Sequence, residues 1–236
     1  MIKTIGLMGA MDEEIALLLE KVERQEPVIV AGIRFVKGVL HGREVVVCKS
    51  GVGKVNAAAT AQILIGRFGV DAVWFTGVAG AVHPDLDVGD VVISSSCRQH
   101  DMDVRPLGFP RGVTPYQEVS DYPAEPAFIR LAESACARQG TDHKHMIGRV
   151  LSGDQFIADH GFVASVLHGE LGGACVEMEG AALAQVCHMN QVPFIVLRSI
   201  SDKADGSADV NFAEFTVLAS QRSFAILNDM IEHLER

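Results

Sequence analysis

Three segments of the chain set carboxylates directly after an apolar run: GAMDEE (Gly9–Glu14), VEMEG (Val176–Gly180) and RSISD (Arg198–Asp202). If those runs are strands of one open α/β sheet, their ends meet at a single crevice, where such sheets hold ligands. Carboxylates gathered there and partly removed from water are suited to general acid and base chemistry. Each also has a purely structural reading, Glu14 as a first-turn residue favoured by the helix dipole and Asp202 as a helix or turn cap. A fourth segment, GVAG (Gly77–Gly80), lacks the third glycine of a dinucleotide fingerprint and reads as a strand end where backbone approaches a ligand closely. Gly51-Val52-Gly53-Lys54 resembles a phosphate loop only in part, because the leading glycine is missing and Val55 stands where Ser or Thr would hold magnesium.

The elements that must carry these groups alternate between strand and helix. Ile2 to Met8 reads as a strand, and Asp12 opens a helix with Ile15, Leu18, Leu19 and Val22 at helical spacing. Ile33–Leu40 and Glu44–Lys49 flank a hairpin turn at His41-Gly42-Arg43. An Ala-rich helix (Val55–Gly66), a buried strand (Asp71–Gly77) and a further strand (Val91–Ser95) follow. Five prolines between Arg105 and Pro126 mark a long loop. Beyond it come helix (Ala127–Arg138), strand (Met146–Ser152), helix (Asp159–Leu167), strand (Ala174–Met178), helix (Gly180–Asn190), strand (Phe194–Ile200) and a long last helix (Asn211–Leu234). The expected fold is α/β: a three-layer single domain, residues 1–236, around a central mixed β-sheet.

Composition narrows the partners. A net charge of −10 argues against nucleic acid, whose binding needs a basic surface. No stretch has the length and apolarity of a membrane span, and carboxylates arrive too early for a secretory leader, so a cytoplasmic protein is expected. The five cysteines are odd in number, widely spaced and never in a C-x-x-C pair, which suggests buried thiols and neither a disulfide framework nor zinc. His100-Asp101 and His143/His145 lack the spacing of a ligand set, and no metal is expected.

Taken in order, GAMDEE, KSGVGKVNAA, TGVAGA, VGDVV, QHDMDV, SGDQFI, VEMEGAALA and RSISDKAD resemble the motifs of the methylthioadenosine/S-adenosylhomocysteine nucleosidases of the nucleoside phosphorylase superfamily, from Ile5 to about Phe215. The resemblance implies a nucleoside phosphorylase-like fold, a nucleoside substrate and no cofactor. It makes Glu14 the carboxylate that activates water, Asp202 the acid that protonates the purine at N7, and Glu179 the residue that holds the ribose hydroxyls. Met178 falls beneath the sugar, Gly80, Phe156 and Ile157 at the adenine, and Met11, Val52 and Phe212 at the apolar walls. Arg198 and Ser201 of the last motif join the substrate-binding set, with Ser201 placed to orient Asp202 and Lys203 expected to face solvent. A homodimer is also implied, in which Val104, Leu107 and Pro115 of one subunit close the pocket of the other. For Met178 and Phe212, core packing is an equally good reading.

The chemistry agrees with this assignment. Breaking a C–N glycosidic bond builds positive charge on the ribose and negative charge on the leaving base, so a proton donor at the base and anions near the sugar both lower the barrier. Asp12, Glu13 and Glu14, with no arginine before Arg24, favour water over phosphate as the nucleophile. Val78 stands where many members of the family have Ser and Gly180 where many have Ala, and the QHD-DV loop with RSIS resembles the subset that also cleaves aminodeoxyfutalosine. A phosphate-dependent phosphorylase and a non-catalytic nucleoside-binding protein are the alternatives.

Overall fold

A computed structural model describes residues 2–140, 143–204 and 212–235, without the side chains of 212–216. The chain runs β1 (Thr4–Gly9), α1 (Asp12–Lys21), β2 (Glu23–Val30), β3 (Ile33–Leu40), β4 (Arg43–Lys49), α2 (Lys54–Phe68), β5 (Ala72–Ala81) and β6 (Val91–Gln99). It continues through β7 (Asp121–Pro123), α3 (Pro126–Gln139), β8 (His145–Ser152), α4 (His160–Phe162), β9 (Gly173–Glu177), α5 (Gly180–Asn190), β10 (Phe194–Asp202) and α6 (Phe212–His233).

The ten strands among the described residues belong to one mixed sheet, in the order β10-β6-β8-β9-β5-β1-β4-β3-β2, with β7 beside β6. Because β10 also pairs with β5, the strands β10, β6, β8, β9 and β5 close into a ring, and β1, β4, β3 and β2 extend from it as an arm. Side chains alternate across the pleat, so one strand feeds two cores. Val73 and Phe75 of β5 face α2 and α5, which contribute Ala57, Ala61, Leu64 and Leu183. Ala72 and Trp74 face α1, α3 and α6, which contribute Leu18, Phe128, Leu227 and Met230. These are the three expected layers.

Several boundaries differ from the sequence reading. β2 lacked any alternating apolar signal, because it is an edge strand with most of its side chains in water. Its Pro27, a residue tolerated at edges, argued against a strand. The proline-rich loop contains a 3-10 turn (Arg105–Leu107) and β7, and Pro126 begins α3. The helix expected over Asp159–Leu167 is a single α turn that continues as a π-helix, Val163–Glu170. Both residues of the β3–β4 turn, His41 and Gly42, have positive φ, as a two-residue type I′ hairpin requires. Among the described residues, no helix is long and apolar enough to cross a membrane.

Candidate active site

The ends of β1, β5, β9 and β10 surround a cavity of about 260 Å³. Of the sequence-predicted residues, Met11, Glu14, Val52, Gly80, Phe156, Ile157, Met178, Glu179, Ser201 and Asp202 all line it.

Glu14 sits on the first turn of α1, buried, and turns its carboxylate back over the end of β1. Its Oε2 accepts from the backbone N–H of Ala10 (2.6 Å) and Met11 (3.0 Å), and its Oε1 from that of Val78 (3.1 Å). The same carboxylate therefore caps α1 and also faces the cavity. Burial raises its pKa above the ordinary carboxylate value, opposed by the nearby Arg198 guanidinium and the three amides.

Gly77 makes room for this arrangement. A Cβ there would overlap both Arg198 Nη1 and Glu14 Oε1. Three residues on, Gly80 pairs with Asp202, and a Cβ at Gly80 would lie 3.0 Å from Asp202 Oδ1. At a strand rise of about 3.3 Å per residue, the sites beside Glu14 and Asp202 are separated by roughly 10 Å.

Asp202 follows a bulge in β10, where the register against β5 shifts between Ile200 and Asp202. Bulges re-aim side chains, and this one brings both Ser201 and Asp202 to the cavity. Ser201 Oγ donates to Asp202 Oδ2 (2.9 Å) and the Ala204 amide to Oδ1 (2.8 Å). Lys203 turns the other way, onto Leu86 O and Asp87.

Glu179 accepts from the Gly53 amide (2.8 Å) and lies 3.7 Å from Arg198. Burial and the neighbouring Glu177 charge push its pKa up to about 7, against the pull of Arg198. Glu177 carries no role in the sequence reading, yet it also lines the cavity. It accepts from Ser152 Oγ, from Arg198, and from the amides of Glu179 (3.2 Å) and Gly180 (2.8 Å) at the start of α5. Its position in VEMEG was the available signal.

Arg198 departs from expectation. It is absent from the cavity wall and fully buried beneath it, its guanidinium bonded to Glu177 and stacked 4.0 Å above the Phe75 ring. A buried guanidinium needs such partners, and they leave it as support to the carboxylates above. Val104, Leu107 and Pro115 line no part of this chain's cavity, and Leu107 is exposed. The Phe212 side chain lies outside the described residues.

The lining includes four carboxylates, those of Glu14, Glu177, Glu179 and Asp202, and no lysine or arginine among the described residues. The remaining wall is mostly apolar. Among the described residues, no cluster of three His, Cys, Asp or Glu side chains could hold a metal. Such a cavity can take a flat apolar base, protonate it at one end and hold a polar, cation-forming group at the other.

Residues 4–232 match the family model of the phosphorylase superfamily. The chain is 40% identical over 230 residues to the 5′-methylthioadenosine/S-adenosylhomocysteine nucleosidase of Shewanella pealeana, covering 98% of this chain and 99% of that protein. The crystal structure of the nucleosidase of the same name from Neisseria meningitidis, in complex with methylthio-immucillin-A, superposes with a TM-score of 0.93 at 36% identity, covering 99% of this chain and 100% of that one. The futalosine hydrolase of Helicobacter pylori superposes with a TM-score of 0.92 at 36% identity, covering 99% of both chains.

Proposed function

The chain belongs to the phosphorylase superfamily, and we propose that within it the protein is a nucleosidase that hydrolyses the N-glycosidic bond of 5′-substituted adenosines and releases adenine. The observation that carries this reading is the pair of oriented carboxylates, Glu14 and Asp202, beside Gly77 and Gly80 on one mostly apolar cavity, with Glu179 on the same wall.

Asp202, held by Ser201 and the Ala204 amide, protonates the base at N7 as the C1′–N9 bond breaks. Positive charge then develops on the ribose, where the carboxylates of Glu14 and Glu179 stabilise it. Glu179 accepts from the ribose hydroxyls. Glu14 takes a proton from the water that attacks C1′, and the products are adenine and the free sugar. Phe156 and Ile157 cover the base, Met178 packs under the sugar, and Met11 and Val52 wall the ribose and 5′ group.

Water is favoured over phosphate because, among the described residues, four carboxylates and no lysine or arginine face the cavity. The 5′ substituents fitted best are those of methylthioadenosine, S-adenosylhomocysteine and 5′-deoxyadenosine, with 6-amino-6-deoxyfutalosine as a further substrate. The enzyme would serve methionine salvage and menaquinone biosynthesis in the cytoplasm, as one domain of residues 1–236. Exposed Val52, Leu107, Tyr116 and Phe156 support a homodimer in which the Val104–Pro115 loop closes the partner's pocket.

The test is adenine release from a panel of 5′-substituted adenosines with and without phosphate. Release in phosphate-free buffer is expected, and a strict phosphate requirement with ribose 1-phosphate as product would overturn the hydrolase. A solution monomer with full activity would overturn the dimer.

A further inference from the structure

The GVGK segment fails as a phosphate loop, yet its lysine is well engaged. Lys54 Nζ donates to Asp101 Oδ1 (2.7 Å) and Gln99 Oε1 (2.9 Å), and the Lys54 and Asp101 side chains are less than one-fifth exposed. The other Asp101 oxygen accepts from the Asp154 amide (3.0 Å), and Asp154 Oδ1 accepts from the Lys54 amide (2.8 Å). Lys54, Asp101 and Asp154 thus close a ring of hydrogen bonds between the start of α2, the segment after β6 and the loop after β8.

Two of those three segments are cavity walls. The residue before Lys54 is Gly53, whose amide holds Glu179. The residues after Asp154 are Gln155, Phe156 and Ile157, which line the cavity. Gly53 has φ +97°, and a Cβ on it would sit 3.1 Å from Asp154 Oδ1, so the ring closes against bare backbone. Charge-assisted bonds between partly buried partners hold geometry better than exposed ion pairs, which contribute little.

We propose that Lys54 and Asp101 are positioning residues that fix the base-covering loop Gln155–Ile157 in register with the ribose-holding carboxylate Glu179, so that base and sugar are gripped together. The proposal rests on the nucleosidase reading for the identity of its ligands. Neither side chain lines the cavity. Their effect therefore falls first on how base and sugar are gripped together, and reaches the chemical step only through Glu179.

The experiment measures adenine-release kinetics for methylthioadenosine, and calorimetric affinity for free adenine and for an uncleaved nucleoside analogue, in wild type, Lys54→Met, Lys54→Arg, Asp101→Asn and the Lys54→Met/Asp101→Asn double variant. In Lys54→Met and Asp101→Asn, KM and the analogue's Kd should rise about 10-fold with kcat changed less than about 3-fold, the pattern of lost uniform binding. Free adenine, which touches only one of the two walls, should lose no more than about 3-fold. Lys54→Arg keeps the charge and should stay near wild type, and the double variant should be no worse than its worse parent, because one ring is broken once. Unchanged KM in both single variants, equal losses for adenine and analogue, or a fall confined to kcat, as a smaller folded fraction would give, overturns the proposal. The isosteric Asp101→Asn keeps the test open if Lys54→Met folds poorly. Wild type that neither binds nor cleaves the nucleosides overturns the nucleosidase reading and the clamp together. Active wild type with unaffected variants overturns the clamp alone.

Discussion

The floor and the rim of the cavity are built on opposite principles. On the floor, Glu14, Glu177, Glu179 and Arg198 are buried, and each polar end meets a backbone amide or an opposite charge. On the rim, Val52 and Phe156 are at least half exposed and offer apolar surface. A floor of this kind holds carboxylates to the tenths of an ångström that proton transfer demands, whereas such a rim tolerates different shapes. The reaction type therefore resides below and the breadth of substrates above.

The largest effects should come from the two oriented carboxylates. Asp202→Asn and Glu14→Gln should each lower kcat by a factor on the order of 10²–10⁴, read by single-turnover adenine release, with substrate affinity largely kept in Asp202→Asn. Near-normal turnover in both would erase the distinction between floor and rim. Gly77→Ala comes next. Its Cβ would displace Arg198 and Glu14 together, and misplacing a catalytic group by about 1 Å costs on the order of 100-fold, so kcat should fall by about that factor while Val52→Ala leaves it almost unchanged.

An effect of pH is expected from Glu179, whose pKa is raised to about 7. Only the ionised form accepts through both oxygens and opposes the positive charge on the ribose, so kcat/KM should rise as pH increases through about 7, and Glu179→Gln should lack that limb. For stability the sign is opposite. The unfolded chain releases this proton near the ordinary value of 4.5 and the folded one near 7, so between them the unfolded state binds fewer protons and stability declines as pH rises. Thermal melts across that window should show the decline in wild type and a smaller one in Glu179→Gln. The smallest effects belong to the rim: Val52→Ala should shift the ratio of kcat/KM between 5′ substituents by a factor of about 10, the value for apolar groups lost from an enclosed pocket, as the proposed dimer requires. A shift below about 3-fold would mean that the rim stays open to water and that no partner loop closes it.

The floor was largely legible in the sequence because its residues stand where strands end. Glu14, Glu179 and Asp202 follow apolar runs, and a strand's end can be read locally. Arg198 was read as touching substrate because its position along β10 was legible but its depth was not. Depth is decided by Glu177 and Phe75, distant in sequence. Lys54 was dismissed with the failed phosphate loop, since its partner Asp101 lies 47 residues away. The two missed strands share the lack of a readable period: β2 is an exposed edge in which a polar half is followed by the contiguous run Pro27–Val30, and β7 has only three residues. The ring formed when β10 pairs on both sides is a property of register, which no single segment encodes.

All five cysteines, Cys48, Cys97, Cys136, Cys175 and Cys187, are buried free thiols. Burial raises the pKa of each, Cys136 to about 11, Cys48, Cys175 and Cys187 further, and Cys97 well above the ordinary thiol value, so little of the reactive thiolate exists in the native state. The protein thus carries its own opening clock: an alkylating reagent added in excess reacts only as fast as the fold exposes sulfur. Cys136, on α3 near the surface at 8% exposure, would be labelled first by local fraying of that helix. Cys48 and Cys175, in the sheet interior, would wait for the sheet itself to come apart, and the interval between the two labels would measure how far the outer helices open independently of it.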